Sequence, residues 1–65
     1  MKTLRSVREE KGVKQIAVAN HLGVSRQTYA GYERDQERMS IEQAQAVCKF
    51  LNCDIGEIFF PEDVK

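Results

Sequence analysis

The sequence has few of the residues that build metal centres, disulfide frameworks or membrane spans. Its 65 residues include two cysteines, one histidine and one proline. Zinc would need further cysteine or histidine ligands beside Cys48 and Cys53, and His21 lies far from both along the chain. We therefore expect no metal and no cofactor, and we interpret both cysteines as buried free thiols, not as a disulfide.

Long apolar segments are also missing. No apolar run approaches the roughly 20 residues that a helix needs to cross a bilayer. The first residues, MKTLRSVREEKG, are charged and lack the apolar segment of a signal peptide. The sequence therefore predicts a cytoplasmic protein with no membrane partner.

The residue patterns of catalytic sites do not occur either. The sequence contains no nucleophile–base pair and no glycine-rich phosphate loop. His21 falls on the polar side of a predicted helix, where a histidine is more often a surface residue than a catalytic one. We predict that the protein is not an enzyme, and no small-molecule ligand is evident.

An excess of charge of one sign is absent overall, because the formal net charge is zero. The charges are nevertheless segregated. Residues 1–39 hold eight basic and five acidic side chains, whereas residues 40–65 hold two basic and five acidic ones. Any affinity for nucleic acid that is independent of sequence should therefore be modest, and specific contacts would have to supply much of the binding.

The composition indicates one small ordered domain over residues 1–65, since 42% of the residues are hydrophobic and 31% are charged. Apolar residues recur at helical spacing throughout, which predicts an all-α fold. Ser25, Ser40 and Asp54 are predicted N-caps, and Pro61 opposes continuation of the last helix. The predicted helices span about residues 3–11, 15–21, 25–33, 40–51 and 55–59, followed by a tail over 60–65. In the fourth helix the predicted core positions are Ile41, Ala44, Val47, Cys48 and Leu51.

The segment from Gln15 to Glu33 has the pattern of a helix-turn-helix. Gly23 suits the left-handed conformation that ends the first of its helices. In the second, Tyr29 and Tyr32 are spaced to face inward while polar residues line the opposite face. This arrangement usually reads the major groove of duplex DNA.

The stretch VREEKGVKQIAVANHLGVSRQTYAGYE resembles the lambda-repressor-like family of helix-turn-helix domains, of the Cro or XRE type. The resemblance extends from about residue 4 to residue 59, where it ends in IGEIF. The matching positions include Arg8, Gly12, Gln15, Ala19, Leu22, Gly23, Val24, Ser25 and Glu33. It implies a compact five-helix domain that binds DNA, usually as a dimeric repressor on a two-fold symmetric operator.

The third helix is the predicted recognition helix, and its first turn should reach furthest toward the bases. Arginine can bind guanine and glutamine can bind adenine through paired hydrogen bonds. Ala30 and Gly31 are expected on the next exposed turn, where they either allow close approach to a base pair or have no role. The predicted base contacts are Ser25, Arg26, Gln27, Ala30 and Gly31.

Phosphate contacts are expected at the start of the second helix and around the third. The resemblance places a backbone-contacting glutamine at Gln15, and Lys14 stands where relatives often have a serine or threonine cap. Asp35 and Glu37 interrupt the basic loop after the third helix, so that loop is either a phosphate contact or simply solvated. The predicted phosphate contacts are Lys14, Gln15, Thr28, Arg34, Arg38 and Ser40.

Two further predictions concern architecture and assembly. The resemblance implies that Arg8 and Glu33 form an ion pair tying the first helix to the end of the third. The C-terminal part is richer in large apolar residues than so small a domain can easily hide, which is typical of an interface. We therefore expect a homodimer through the fourth and fifth helices, at Phe50, Ile58, Phe59 and Phe60.

Together these patterns predict a sequence-specific transcriptional regulator, most readily a repressor, that binds a palindromic operator in double-stranded DNA as a homodimer. The alternative is a protein-interaction module, for example an antitoxin-like partner, that kept the scaffold with weak or no affinity for DNA. The zero net charge and the acidic residues of the loop favour that alternative.

Overall fold

The computed structural model describes residues 2–59 of the chain, and their regular structure is entirely helical. The five helices are α1 (Leu4–Glu10), α2 (Gln15–Leu22), α3 (Arg26–Arg34), α4 (Ile41–Leu51) and α5 (Ile55–Ile58). The all-α, five-helix prediction is therefore confirmed, with helix ends within about two residues of those expected. The predicted tail over residues 60–65 and the predicted interface residue Phe60 lie outside the described residues.

The helices begin at the residues that the sequence indicated. The side chains of Ser25, Ser40 and Asp54 each accept a hydrogen bond from a backbone N–H in the first turn of α3, α4 and α5 respectively. These bonds satisfy donors that have no partner within the helix itself. Lys14 precedes α2 without a side-chain cap, so this helix start remains open to another acceptor.

The turn between α2 and α3 depends on Gly23. Its φ of 74° lies in the left-handed region that residues with a Cβ seldom adopt. The backbone N–H of Val24 then donates to the carbonyl of Ala19 over 3.0 Å, which closes the end of α2. Val24 packs against the core and holds the corner of the helix-turn-helix in place.

The core lies where α1, α2, α3, α4 and α5 meet. It is formed by Leu4, Val7, Val18, Ala19, Tyr29, Val47, Cys48, Leu51 and Ile58. Two predictions about it are wrong. Ile41 is 56% exposed because it is the first residue of α4 and lies at the edge of the packed region, whereas Ile58, expected at a dimer surface, is 2% exposed and packs into the core.

The segment between α3 and α4 contains a one-turn 3-10 helix (Gln36–Arg38), where the sequence predicted only a loop. Its Gln36 side chain reaches two other elements. Gln36 Oε1 accepts from the backbone N–H of Leu4 over 2.7 Å, and Gln36 Nε2 donates to the carbonyl of Ile58 over 3.4 Å. One side chain thus joins the start of α1 to the end of α5.

Candidate nucleic-acid interface

The helix α3 has one face in the core and the other in solvent. Tyr29 is fully buried beneath the helix, and Tyr32 packs partly against the same core. Arg26 and Gln27, in the first turn, are exposed. The buried tyrosine therefore fixes the helix while its N-terminal turn presents an arginine and a glutamine outward.

The N-cap of α3 holds two hydroxyl groups together, those of Ser25 and Thr28. Ser25 Oγ accepts from the backbone N–H of Thr28 over 3.0 Å and donates to Thr28 Oγ1 over 2.9 Å. Both residues are exposed. Because the threonine oxygen accepts this bond, its own hydroxyl proton is free to donate to an acceptor in solvent, such as a phosphate.

The next turn of α3 differs from the prediction. Ala30 is half-buried and Gly31 is buried, although both were expected on an exposed turn. The reason lies in the following residues, because the guanidinium groups of Arg34 and Arg38 lie over Gly31. Arg34, Arg38 and Ser40, three of the predicted phosphate contacts, are themselves exposed.

Arg8 and Glu33 lie together, as the resemblance implied. Arg8 Nε is 2.5 Å from Glu33 Oε2, and the two side chains are only 10% and 4% exposed. Arg8 Nη1 also donates to the carbonyl of Val13 over 2.8 Å. The pair thus ties α1 to the end of α3 and to the segment that leads into α2.

Gln15 belongs to the same cluster. Its Nε2 donates to Glu33 Oε1 over 3.0 Å, which the sequence did not predict. Gln15 was expected to contact phosphate from the start of α2, and the observed bond uses one of its two amide protons. The bond links the orientation of this side chain to the ion pair.

The charges in this cluster perturb each other. Burial alone would raise the pKa of Glu33, but hydrogen bonds from Arg8 and Gln15 outweigh it and lower that pKa. Hydrogen bonding to Glu33 raises the pKa of Arg8. Burial and the nearby Glu33 carboxylate raise the pKa of Tyr29 well above its usual range. At neutral pH the cluster therefore holds an ionised carboxylate against a cation.

Among the described residues, some cations have a carboxylate partner and others have none. Lys2, Arg5 and Arg8 each lie within 4 Å of a carboxylate of Glu9, Glu10 or Glu33. Within residues 2–59 no such partner occurs for the cations around α2, α3 and the 3-10 turn, which are Lys14, Arg26, Arg34 and Arg38. The latter group, on the helix-turn-helix and the segment after it, is therefore available to bind an anion.

The predicted dimer residues are separated by the structure. Phe50 is 41% exposed and stacks on His21, with ring centroids 4.4 Å apart. Phe59 is half-buried and packs against the core. Ile58 is a core residue, as described above, which leaves Phe50 as the large exposed apolar side chain of the described part of this set.

The part of the chain that the structure describes contains no group of three or more metal-ligating side chains. None of its helices has the length and apolar character needed to span a bilayer. Cys48 is buried and Cys53 half-buried, both as free thiols, and burial raises the pKa of Cys48 to about 12.

Comparison with known proteins agrees with this geometry. A family model described as helix-turn-helix matches residues 4–58, and the chain belongs to that family, of the Cro type. The chain is 33% identical over 55 residues to the cryptic phage CTXphi transcriptional repressor RstR of Vibrio cholerae. That match covers 85% of this chain and 50% of the relative, so the chain spans about half the length of this curated protein.

Proposed function

We propose that this helix-turn-helix protein binds duplex DNA with sequence specificity and acts as a transcriptional repressor. The family supports the DNA-binding part, and the phage repressor that resembles it over 55 residues supports the regulatory part. Repression would follow from occupation of promoter DNA. This reading requires that the exposed side of α3 be fitted to the major groove.

One observation carries the proposal. Arg26 and Gln27 are exposed in the first turn of α3, while Tyr29 anchors the same helix in the core. The N-terminal turn of a recognition helix enters the major groove, where these two residue types can pair with guanine and adenine. We propose that Arg26 and Gln27 read bases directly and that Ser25 and Ala30 lie against neighbouring base edges.

Backbone contacts would position this helix on the duplex. The start of α2 offers free backbone N–H groups, because Lys14 provides no side-chain cap, and such a helix end attracts phosphate. Thr28 has a hydroxyl proton to donate. We propose that phosphates are contacted by Lys14, Gln15, Thr28, Arg34, Arg38 and Ser40.

The proposed assembly is a homodimer on a palindromic operator. A two-fold dimer would present two copies of α3 about 34 Å apart, one turn of B-DNA. The exposed Phe50, stacked on His21, is a candidate contact between the copies, together with Phe59. Dimerisation would also offset the modest electrostatic attraction of a chain with zero net charge.

The first test is selection of binders from a random duplex DNA pool at about physiological salt. The proposal expects a two-fold symmetric motif with half-sites about one helical turn apart. Binding of the recovered site should fall by about 1–3 kcal/mol in Arg26→Ala, with relaxed preference at one base pair. Gln27→Ala should relax preference at a different base pair.

Lys49→Ala is the matched control, since it removes one exposed cation from α4 and leaves α3 intact. It should keep the base preference of the wild type. An unchanged preference in Arg26→Ala would contradict the assignment of α3 as the reading helix. Failure to enrich any motif, at low salt as well, would favour a protein-interaction module on the same scaffold.

A further inference from the structure

Two arginine side chains converge on α3 at the position in this helix that carries no side chain. A Cβ built on Gly31 would lie 3.5 Å from Arg38 Nη1 and 3.9 Å from Arg34 Nη2. Both guanidinium groups are therefore within van der Waals reach of the same point on the helix surface. A large side chain at residue 31 would occupy the space that they share.

The local fold brings the two residues together from different elements. Arg34 is three residues after Gly31, and long helical side chains lean toward the N-terminus over that neighbour. The side chain of Arg38 lies against α3 because the chain turns sharply after the end of that helix. The N–H of Asp35 donates to the carbonyl of Gly31 over 2.9 Å, and the N–H of Arg38 donates to the carbonyl of Asp35 over 3.1 Å.

The charges of this arrangement are not balanced by the chain itself. Among residues 2–59, neither Arg34 nor Arg38 has a carboxylate within 4 Å. Two guanidinium groups placed side by side repel each other, and an anion between them removes that repulsion. The planar donor fork of arginine suits the oxygens of a phosphate in particular.

We propose that Arg34 and Arg38 form one phosphodiester-binding site over Gly31, in which both side chains hold the same DNA phosphate. The inference rests on the proposed function and deepens it, since separate phosphate contacts would not require the two groups to converge. Gly31 then acts as a positioning residue. Without a large side chain at residue 31, the two guanidinium groups can share the space above the helix, so Gly31 contributes room and not a base contact of its own.

The test uses the full chain and the operator recovered by selection, remade as duplexes that each carry one neutral methylphosphonate linkage. Wild-type affinity should fall by about tenfold or more when the shared phosphate is neutralised. Arg34→Ala and Arg38→Ala should both lose sensitivity at that same linkage and keep it elsewhere. Lys49→Ala should retain the wild-type profile.

Gly31→Leu provides a second variant, with its helical content checked by circular dichroism. It should also lose sensitivity at that linkage, because leucine displaces the two guanidinium groups. The salt slope gives an independent readout. Each single arginine variant should change the slope of log K against log salt by less than the double variant does, and the double variant should lose about one phosphate contact.

Several results would overturn the inference. Loss of sensitivity at two different linkages would assign each arginine its own phosphate and leave the proposed function intact. Unchanged profiles in both arginine variants would remove them from the interface, and an unchanged profile in Gly31→Leu would remove the glycine from the site. Absence of any duplex binding by the wild-type chain would instead contradict the proposed function itself.

Discussion

Arg8→Ala tests whether the ion pair between α1 and α3 holds the domain together. The substitution leaves the Glu33 carboxylate, whose side chain is 4% exposed, without its cation. It also removes the donor to the carbonyl of Val13. Of the partners described, the amide of Gln15 would then remain to stabilise the charge.

The size of the effect follows from that burial. Removing one partner of a buried ion pair typically costs about 3–5 kcal/mol, because the remaining charge is left uncompensated. A chain of this length has a total unfolding free energy of about 3–10 kcal/mol. Arg8→Ala is therefore expected to be largely unfolded, or to melt at least about 12 °C below the wild type.

The matched control is Arg5→Ala on the same helix. Arg5 Nε lies 3.0 Å from Glu9 Oε2, but these side chains are 69% and 54% exposed. Solvent screens such a pair, so its loss should cost less than about 1 kcal/mol. Urea denaturation followed by circular dichroism measures both variants against the wild type, at neutral pH and fixed salt.

A loss of stability in Arg8→Ala no larger than that in Arg5→Ala would contradict a stabilising role for the buried ion pair. A second variant provides the test if Arg8→Ala cannot be purified. Arg8→Met combined with Glu33→Leu removes both charges and should recover much of the lost stability, since a buried pair is often replaceable by apolar residues. A double variant less stable than Arg8→Ala alone would contradict the assignment of the loss to an unpaired carboxylate.

Three further predictions concern the same scaffold. Because the folded protein lowers the pKa of Glu33, the ionised carboxylate stabilises the fold above its unfolded pKa, and this stability is lost as pH falls through the folded pKa. Glu33→Gln should therefore lose less stability than the wild type below about pH 4.5, as measured by unfolding at a series of acidic pH values. Gln36→Ala should lower the unfolding free energy in urea by about 1–3 kcal/mol, because the backbone N–H of Leu4 loses its acceptor. The control is Gln45→Ala, which changes an exposed glutamine of α4 and should lower it by less than about 0.5 kcal/mol. Gly31→Ala should increase the unfolding free energy by up to about 1 kcal/mol and raise the melting temperature, because alanine favours the helix and its Cβ makes ordinary contacts with the arginines. A lowered melting temperature would mean that this position cannot accept a methyl group.

The local sequence determined the helices and their ends. Apolar spacing of three and four residues marked the five helices, and Ser25, Ser40 and Asp54 marked three of their starts. Gly23 fixed the turn of the helix-turn-helix because a left-handed residue was needed there. These features could be predicted because each depends on residues that are neighbours along the chain.

The candidate site was predictable in part for the same reason. The exposure of Gln27 follows from its position opposite Tyr29 on one helix, and that of Arg26 from its place as the first residue of α3. The pairing of Arg8 with Glu33 joins residues 25 apart, and the residues alone did not imply it. It was expected because the sequence resembles a family, not because of spacing.

Tertiary packing decided what the sequence pattern left open or predicted wrongly. Gln36 lies in a segment that the sequence predicts to be a loop. The donor at Leu4 and the acceptor at Ile58 that its side chain contacts come close to it only when the chain folds. The sequence predicts an exposed Gly31, whereas in the structure Arg38 reaches it from outside the helix and covers it. Helical periodicity shows which face of a single helix is apolar. Which residues from the rest of the chain cover that helix depends on how the whole core packs.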